Sequence, residues 1–265
     1  MSLVLTADNA MGTVERGTPV ILFDLDDTLL DDLAAKQYYM PRLYDACREH
    51  IRREREEFYS AWKAAIPRYH SMYASGQMTF EEQRFHRVRD AFANPDMPDQ
   101  TVAQSITAFD RLFKEGWCPF ADTHATLDAL VGFRKGIVTN GNTIQQQEKI
   151  DHLGIRSHFD CIIISEQAGF PKPDRRIFDL ACRVLNCTPA DCIFVGDSWE
   201  IDVIGASRAG MAPVWINRYA RQRPEELPEV RVIEQLRELV GISRGLASLI
   251  ALTQPRRDKS STRSP

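Results

Sequence analysis

The run Val20-Ile21-Leu22-Phe23-Asp24-Leu25-Asp26-Asp27-Thr28-Leu29-Leu30 is an apolar segment that ends abruptly in carboxylates. Val20 to Phe23 is too short for an ordinary helix and rich in branched and aromatic residues, so it reads as a buried strand. Side chains in extended backbone repeat with period two, which points Asp24 and Asp26 the same way. Two like charges beside a core strand carry a penalty in repulsion and desolvation. A divalent cation and a phosphoryl group offset that penalty most simply.

Three further stretches extend the pattern: Ile137-Val-Thr-Asn-Gly141, Phe170-Pro-Lys-Pro-Asp174, and Ile193-Phe-Val-Gly-Asp-Ser-Trp-Glu-Ile-Asp202. Each follows an apolar, strand-like run. They present in turn a hydroxyl with backbone amides, an ammonium, and more carboxylates. In open α/β sheets ligands sit beyond the carboxyl ends of the strands, so four motifs distant in sequence can converge there. Asp24 is placed as a nucleophile on phosphorus. Asp26 is placed to protonate the leaving alcohol and then to deprotonate a water, which requires a proton on Asp26 when substrate arrives. Neighbouring like charge favours that form, with the acids titrating as a coupled set. Asp197 with Asp24 suits Mg²⁺, a hard ion that prefers oxygen ligands. Thr139 and nearby N–H groups suit phosphoryl oxygens, and Lys172 suits the charge that shifts onto them.

A chain of 265 residues can bury a substantial core, and 43% hydrophobic with 26% charged residues argues against wholesale disorder. A net charge of −4 gives no sign of a general nucleic-acid surface. No apolar run approaches the roughly 20 residues that span a bilayer, and Met1 to Gly17 lacks the basic start and apolar stretch of a secretory signal. The cysteines Cys47, Cys118, Cys161, Cys182, Cys187 and Cys192 contain no Cys-x-x-Cys pair. They read as reduced, packed thiols of a cytoplasmic protein. Cys182, Cys187 and Cys192 recur every five residues, a spacing that fits no zinc pattern.

Residues from about Leu33 to Trp117 contain no convincing strand. Tyr39, Leu43, Ala46 and Cys47 make one helical stripe. Phe58, Trp62 and Ala65 make a second, expected to stop near Pro67. Thr79-Phe-Glu-Glu82 resembles a capping box ahead of Phe85, Val88 and Phe92, and Val102, Ile106, Phe109 and Phe113 form a fourth stripe. Four such helices make a small bundle. Arg52-Arg-Glu-Arg-Glu-Glu57 reads as a solvated, ion-paired helix face. From Pro119 onward helices and strands alternate: expected helices cover Thr123–Val131, Asn142–Leu153, Arg175–Leu185 and Trp199–Ala209. Expected strands cover Gly136–Val138, Phe159–Ile164, Cys192–Val195 and a final Pro213–Ile216, with a last packing element from Val232 to Val240. This is a parallel sheet flanked by helices. The first strand precedes the helical block, so that block is an insertion. The expected division is an α/β core over 18–32 and 118–245, a helical insert over 33–117, and flexible ends over 1–17 and 253–265.

With these motifs in order, the chain resembles the haloacid dehalogenase superfamily in its phosphatase branch. Asp24-Leu-Asp-Asp-Thr28, Thr139-Asn-Gly, Lys172-Pro-Asp and Gly196-Asp-Ser with Asp202 four residues after Ser198 carry the resemblance, and Gly205-Ala and Gly210-Met add to it. It implies a Rossmann-like α/β core with a helical cap between the first and second motifs. It also implies a Mg²⁺-dependent phosphatase that passes through an aspartyl phosphate. On that resemblance Asp24 is the nucleophile and Asp26 the acid/base. Thr139, Asn140, Gly141 and Lys172 bind phosphate. Asp24, the Asp26 carbonyl, Asp197 and, directly or through water, Asp202 serve the metal. The alternative role for Asp202 is to orient Lys172; Asp27 stands where many relatives have Gly and is given no catalytic role; Asn140 and Ser198 shape the site more than they react. A mobile cap implies a small phosphorylated metabolite rather than nucleic acid or membrane as partner, and a monomer or homodimer.

Other chemistries fit parts of the pattern. A 2-haloacid dehalogenase needs the nucleophile but neither Mg²⁺ nor Asp26. A phosphomutase would share the acids, and a phosphonate hydrolase would need a cap lysine such as Lys36 or Lys63. A scaffold protein could keep the fold alone, but a full set of acids is costly to hold without use.

Overall fold

Six short strands form one fully parallel sheet in the computed structural model, which describes residues 20–224, 227 and 229–241. The ends expected to be flexible, 1–17 and 253–265, lie outside the described residues, as do the margins 18–19 and 242–245 of the expected core. The strands are β1 (Val20–Phe23), β2 (Arg134–Thr139), β3 (Cys161–Ile164), β4 (Cys192–Gly196), β5 (Ala212–Ile216) and β6 (Arg231–Ile233), in the order β3-β2-β1-β4-β5-β6. Every β1 residue is buried, as expected of a central strand covered on both faces, and this explains its unbroken apolar sequence. Phe23 aligns with Ile137 of β2 and Val195 of β4. The strand order reverses between β1 and β4. That makes their carboxyl ends the switch point where such sheets bind ligands.

The chain separates into two compact units, 1–30 with 119–265, and 31–118. The first carries the sheet, with α5 (Thr123–Ala129), α6 (Thr143–His152), α7 (Ser165–Ala168), α8 (Arg175–Val184) and α9 (Gly205–Ala209). The second is helical, with α1 (Asp32–Ala46), α2 (Arg55–Ala74), α3 (Phe80–Phe92) and α4 (Asp99–Glu115). Its centre is aromatic: Tyr39, Phe58, Trp62, Phe92 and Phe109 are buried, and the Trp62 indole N–H donates to the Tyr39 hydroxyl at 3.0 Å. Tyr39 and Phe109 meet edge to face at 5.1 Å. The Thr79–Glu82 capping box forms.

Four local expectations are corrected. The second helix does not stop at Pro67 but runs to Ala74. Pro67 and Lys63, whose carbonyl loses its helical partner, are both exposed, so water can take that carbonyl. Tyr44, not Ala46, completes the buried face of α1. The final strand is not β5, because β6 adds to the sheet edge within the expected packing element. The expected helix from Trp199 to Ala209 begins instead as a π-type turn, Trp199–Ile204, before α9.

Candidate active site

Asp24 is the first residue past β1. Its N–H donates to the Val195 carbonyl at 2.9 Å, carrying the β1–β4 ladder one residue further and fixing where the carboxylate emerges. Lys172 follows β3 and the short α7. Its Nζ donates to Asp24 Oδ1 and to Asp202 Oδ1, each at 2.6 Å. All three side chains are buried, and Lys172 also lies over the Phe194 ring. Asp197 is the first residue past β4. Its backbone carbonyl accepts from the Trp215 indole at 2.8 Å, and its carboxylate pairs with Arg221 at 3.2 Å. Carboxylate oxygens of Asp24, Asp197 and Asp202 all lie within 4.8 Å of one another.

The π-type turn has a local reason. The N–H groups of Asp202 and Val203 both reach the Ser198 carbonyl, and the widened turn brings Asp202 back so that its Oδ2 accepts from the Ser198 N–H at 3.0 Å. Gly196 admits that approach, because any Cβ there would collide with the Asp202 carboxylate. Such turns recur at functional sites.

Three carboxylates thus face one buried ammonium. Burial pushes the Asp24 carboxyl well above the usual range; Lys172 opposes this and Asp202 and Asp197 add to it. Asp197 is pushed up to about 7 by burial, then by Asp202 and Asp27, against Arg221 and Lys172. Burial works against the charge on Lys172, but Asp202 and Asp24 outweigh it and hold the ammonium above its ordinary value. The cluster is therefore short of positive charge. Oxygens that share one Mg²⁺ at about 2.1 Å lie roughly 3–4 Å apart. An all-oxygen donor set of this spread and charge fits that ion.

Asp26 meets partners from α6. Lys149 Nζ donates to its Oδ1 at 2.7 Å and Gln146 Nε2 to its Oδ2 at 3.0 Å. The like charges pressing on Asp24 are those of Asp202 and Asp197. The chain then turns: the Leu25 carbonyl accepts from the N–H groups of Thr28, Leu29 and Leu30. Asp27 takes up the left-handed conformation of this turn, φ 55°, which explains why glycine also suits the position. Its carboxylate accepts from the Tyr219 hydroxyl at 2.9 Å.

Gln146 Nε2 also donates to Thr139 Oγ1 at 2.7 Å, linking the first and second motifs. Three of the expected phosphate binders lie together here, Thr139, Asn140 and Gly141. The Thr139 hydroxyl accepts from Gln146 and donates to the Asn140 carbonyl at 3.4 Å. The Asn140 side chain is engaged at both ends by the Lys172 backbone, accepting from its N–H at 2.8 Å and donating to its carbonyl at 3.0 Å. The Gly141 N–H donates to Ser165 Oγ at 3.0 Å, and a Cβ there would press on Gln146 at 3.0 Å. These bonds tie Asn140 to the Lys172 segment and Gly141 to the start of α7.

Sequence reasoning missed Gln146 and Lys149. Both lie on the buried face of α6, four residues before the buried Ile150 and Leu153. Polar residues in core-facing positions directly after the second motif were the available signal.

A family model described as haloacid dehalogenase-like hydrolase matches residues 18–210. A glyceraldehyde 3-phosphate phosphatase of Methanothermobacter thermautotrophicus is 30% identical over 74% of this chain and 84% of its own length. One from Methanopyrus kandleri is 31% identical over 86% and 97%. The magnesium-bound structure of the HAD-hydrolase YfnB from Bacillus subtilis superposes with a TM-score of 0.70 at 24% identity, covering 85% of this chain and 98% of that one. No helix among the described residues is long and apolar enough to cross a membrane. The chain, with its parallel sheet and acids at the switch point, belongs to the haloacid dehalogenase-like hydrolase family.

Proposed function

We propose that this enzyme is a Mg²⁺-dependent, cytoplasmic phosphatase that hydrolyses a small-molecule phosphate monoester through a phosphate ester on Asp24. The observation that carries the reading is the bridging of Asp24 and Asp202 by buried Lys172 beside Asp197, a cluster short of positive charge at the switch point. An Asp24 oxygen attacks phosphorus, and the bond from phosphorus to the leaving oxygen breaks as Asp26 gives that oxygen a proton. A water then attacks the acyl phosphate as Asp26 takes its proton, releasing inorganic phosphate and restoring Asp24. Thr139 and Lys172 hold the phosphoryl oxygens, and Asp202 orients Lys172. Asp24, the Asp26 carbonyl and Asp197 would hold Mg²⁺, which supplies the positive charge that lets an anionic phosphoryl group approach an anionic nucleophile. The relatives named as glyceraldehyde 3-phosphate phosphatases support a short phosphorylated metabolite. The helical insert, by its place between the first and second motifs, supports a small substrate.

Release of phosphate from p-nitrophenyl phosphate tests the reaction. Turnover with Mg²⁺ is expected to fall by roughly 100-fold or more in EDTA and to return when Mg²⁺ is restored. Equal turnover in EDTA, or metal-independent chloride release from a 2-haloacid, overturns the reading. A panel of three-carbon, sugar and nucleoside phosphates then ranks substrates.

Lys149 and Gln146 act in this reading as positioning residues for Asp26. Lys149→Met is expected to lower kcat by roughly 10–100-fold while KM changes little, since Asp26 acts in proton transfer rather than in binding. Lys149→Arg is expected to recover part of the loss. A rise in KM with kcat intact would show instead that Lys149 touches substrate.

A further inference from the structure

Cys182, Cys187 and Cys192 are free thiols whose five-residue spacing fits no zinc pattern, and the fold brings them together. Cys182 lies in the last turns of α8, Cys187 in the loop that follows, and Cys192 at the first residue of β4. The helix returns to the sheet here, so three different elements deliver sulfur to one point. Cys192 Sγ lies 3.4 Å from Cys187 Sγ and 3.7 Å from Cys182 Sγ, and all three sulfurs lie within 4.8 Å of one another. Sulfurs that share an ion at about 2.3 Å in tetrahedral geometry are roughly 3.8 Å apart. The spacing of the three sulfurs is thus close to that of a metal–thiolate site before any rearrangement.

We propose that Cys182, Cys187 and Cys192 form a binding site for a thiophilic metal ion of the Zn²⁺ and Cu⁺ class, separate from the carboxylate cluster. Sulfur donors exclude Mg²⁺ here as firmly as oxygen donors favour it at the other site. Cys192 begins β4 and Asp197 follows its end, so the two sites are about 16 Å apart along the strand. Cys187 is half-buried while Cys182 and Cys192 are buried, which makes Cys187 the side from which an ion enters. Binding replaces the thiol protons, which now point to the Thr188 and Cys182 carbonyls from Cys192 and Cys187, and releases them to solvent. The resulting site carries excess negative charge. Arg134, whose guanidinium donates to the Leu185 carbonyl at the end of α8, lies near enough to Cys187 to offset part of it.

Cd²⁺, with its thiolate-to-metal absorbance, is the direct probe, added to the reduced full-length enzyme under anaerobic conditions with Mg²⁺ present. One equivalent is expected to produce the band, and Zn²⁺ is expected to displace it. Cys187→Ser is expected to weaken Cd²⁺ binding by roughly 100-fold or more, whereas Cys47→Ser leaves it unchanged. Phosphate release by Cys187→Ser in Mg²⁺ is expected to match the parent enzyme, which shows that the variant is folded. Absence of the band, or a band unaffected by Cys187→Ser, overturns the proposal. So does an inability to titrate these thiols because Cys187 and Cys192 form a disulfide in the enzyme prepared under reducing conditions.

Discussion

Asp24→Asn is expected to abolish phosphate release, by at least about 10⁴-fold, and to raise the thermal stability of the metal-free protein. Asparagine keeps the size of the side chain and an oxygen that accepts from Lys172, so the local hydrogen bonding of the cluster survives. It cannot form the phosphate ester, and removal of a nucleophile gives losses of this order or greater. The stability gain comes from the same site. The Asp24 carboxyl is raised above its ordinary value by burial and by Asp202 and Asp197. A carboxyl whose folded pKa exceeds its unfolded one contributes stability below the unfolded value, near pH 4, and loses that contribution as pH rises through the folded value. The amide removes this loss, so the gain should be small near pH 4 and largest in neutral to mildly alkaline buffer. Melting in EDTA across that range, with steady-state turnover in Mg²⁺, measures both effects. Activity above about 1% of the parent would remove Asp24 from the role of nucleophile. A variant less stable than the parent at pH 8 would mean that its ion pair with Lys172 outweighs the burial of its charge.

The parts of the fold that were legible in sequence were those where one local rule dominates. Val20–Phe23 is buried on both faces, and only a continuous apolar run satisfies that. Thr79 and Glu82 satisfy each other's backbone partners within one turn, so the start of α3 needs nothing from elsewhere. The misreadings arose where a tertiary contact overrode the local rule. Pro67 is tolerated because it faces water, which no window of sequence reveals. The turn at Trp199–Ile204 widens because Asp202 must reach both Ser198 and a lysine thirty residues away. Asp24 and Asp197 were legible because each stands directly behind an apolar strand. Their partners were less so. Asp26 meets Lys149 and Gln146, residues 123 and 120 positions distant. Period-two spacing gives the direction of a side chain within a strand and carries no information on partners so far along the chain.

Lys172→Met should have the second large effect, on stability and activity together, and the stability loss should depend on pH. Methionine keeps the length of the stem over the Phe194 ring and removes the charge. Asp24 and Asp202 then each lose a hydrogen bond of 2.6 Å from the same ammonium. Breaking a buried ion pair on one side costs about 3–5 kcal/mol, which for a domain of this size lowers Tm by roughly 10 °C. Lys172 itself is held above its ordinary value. Its contribution is therefore fully present below the unfolded lysine pKa and constant from pH 5 to 8. The pH dependence must come from the acids it leaves behind. Asp24 and Asp197 are already raised, Asp197 to about 7, and loss of the cation raises them further. At pH 5 these carboxyls can stay protonated and the cluster tolerates the missing charge. At pH 8 it must carry uncompensated carboxylates, so the Tm gap between parent and variant in EDTA should widen as pH rises between those values. Saturating Mg²⁺ supplies positive charge to the same oxygens and should narrow the gap, because an ion that binds only the folded state stabilises it by mass action. Turnover should stay about 10³-fold down even then, since the ion does not replace the donor at the phosphoryl oxygens. A gap that is flat from pH 5 to 8 would mean that Lys172 serves packing rather than the charge of the cluster.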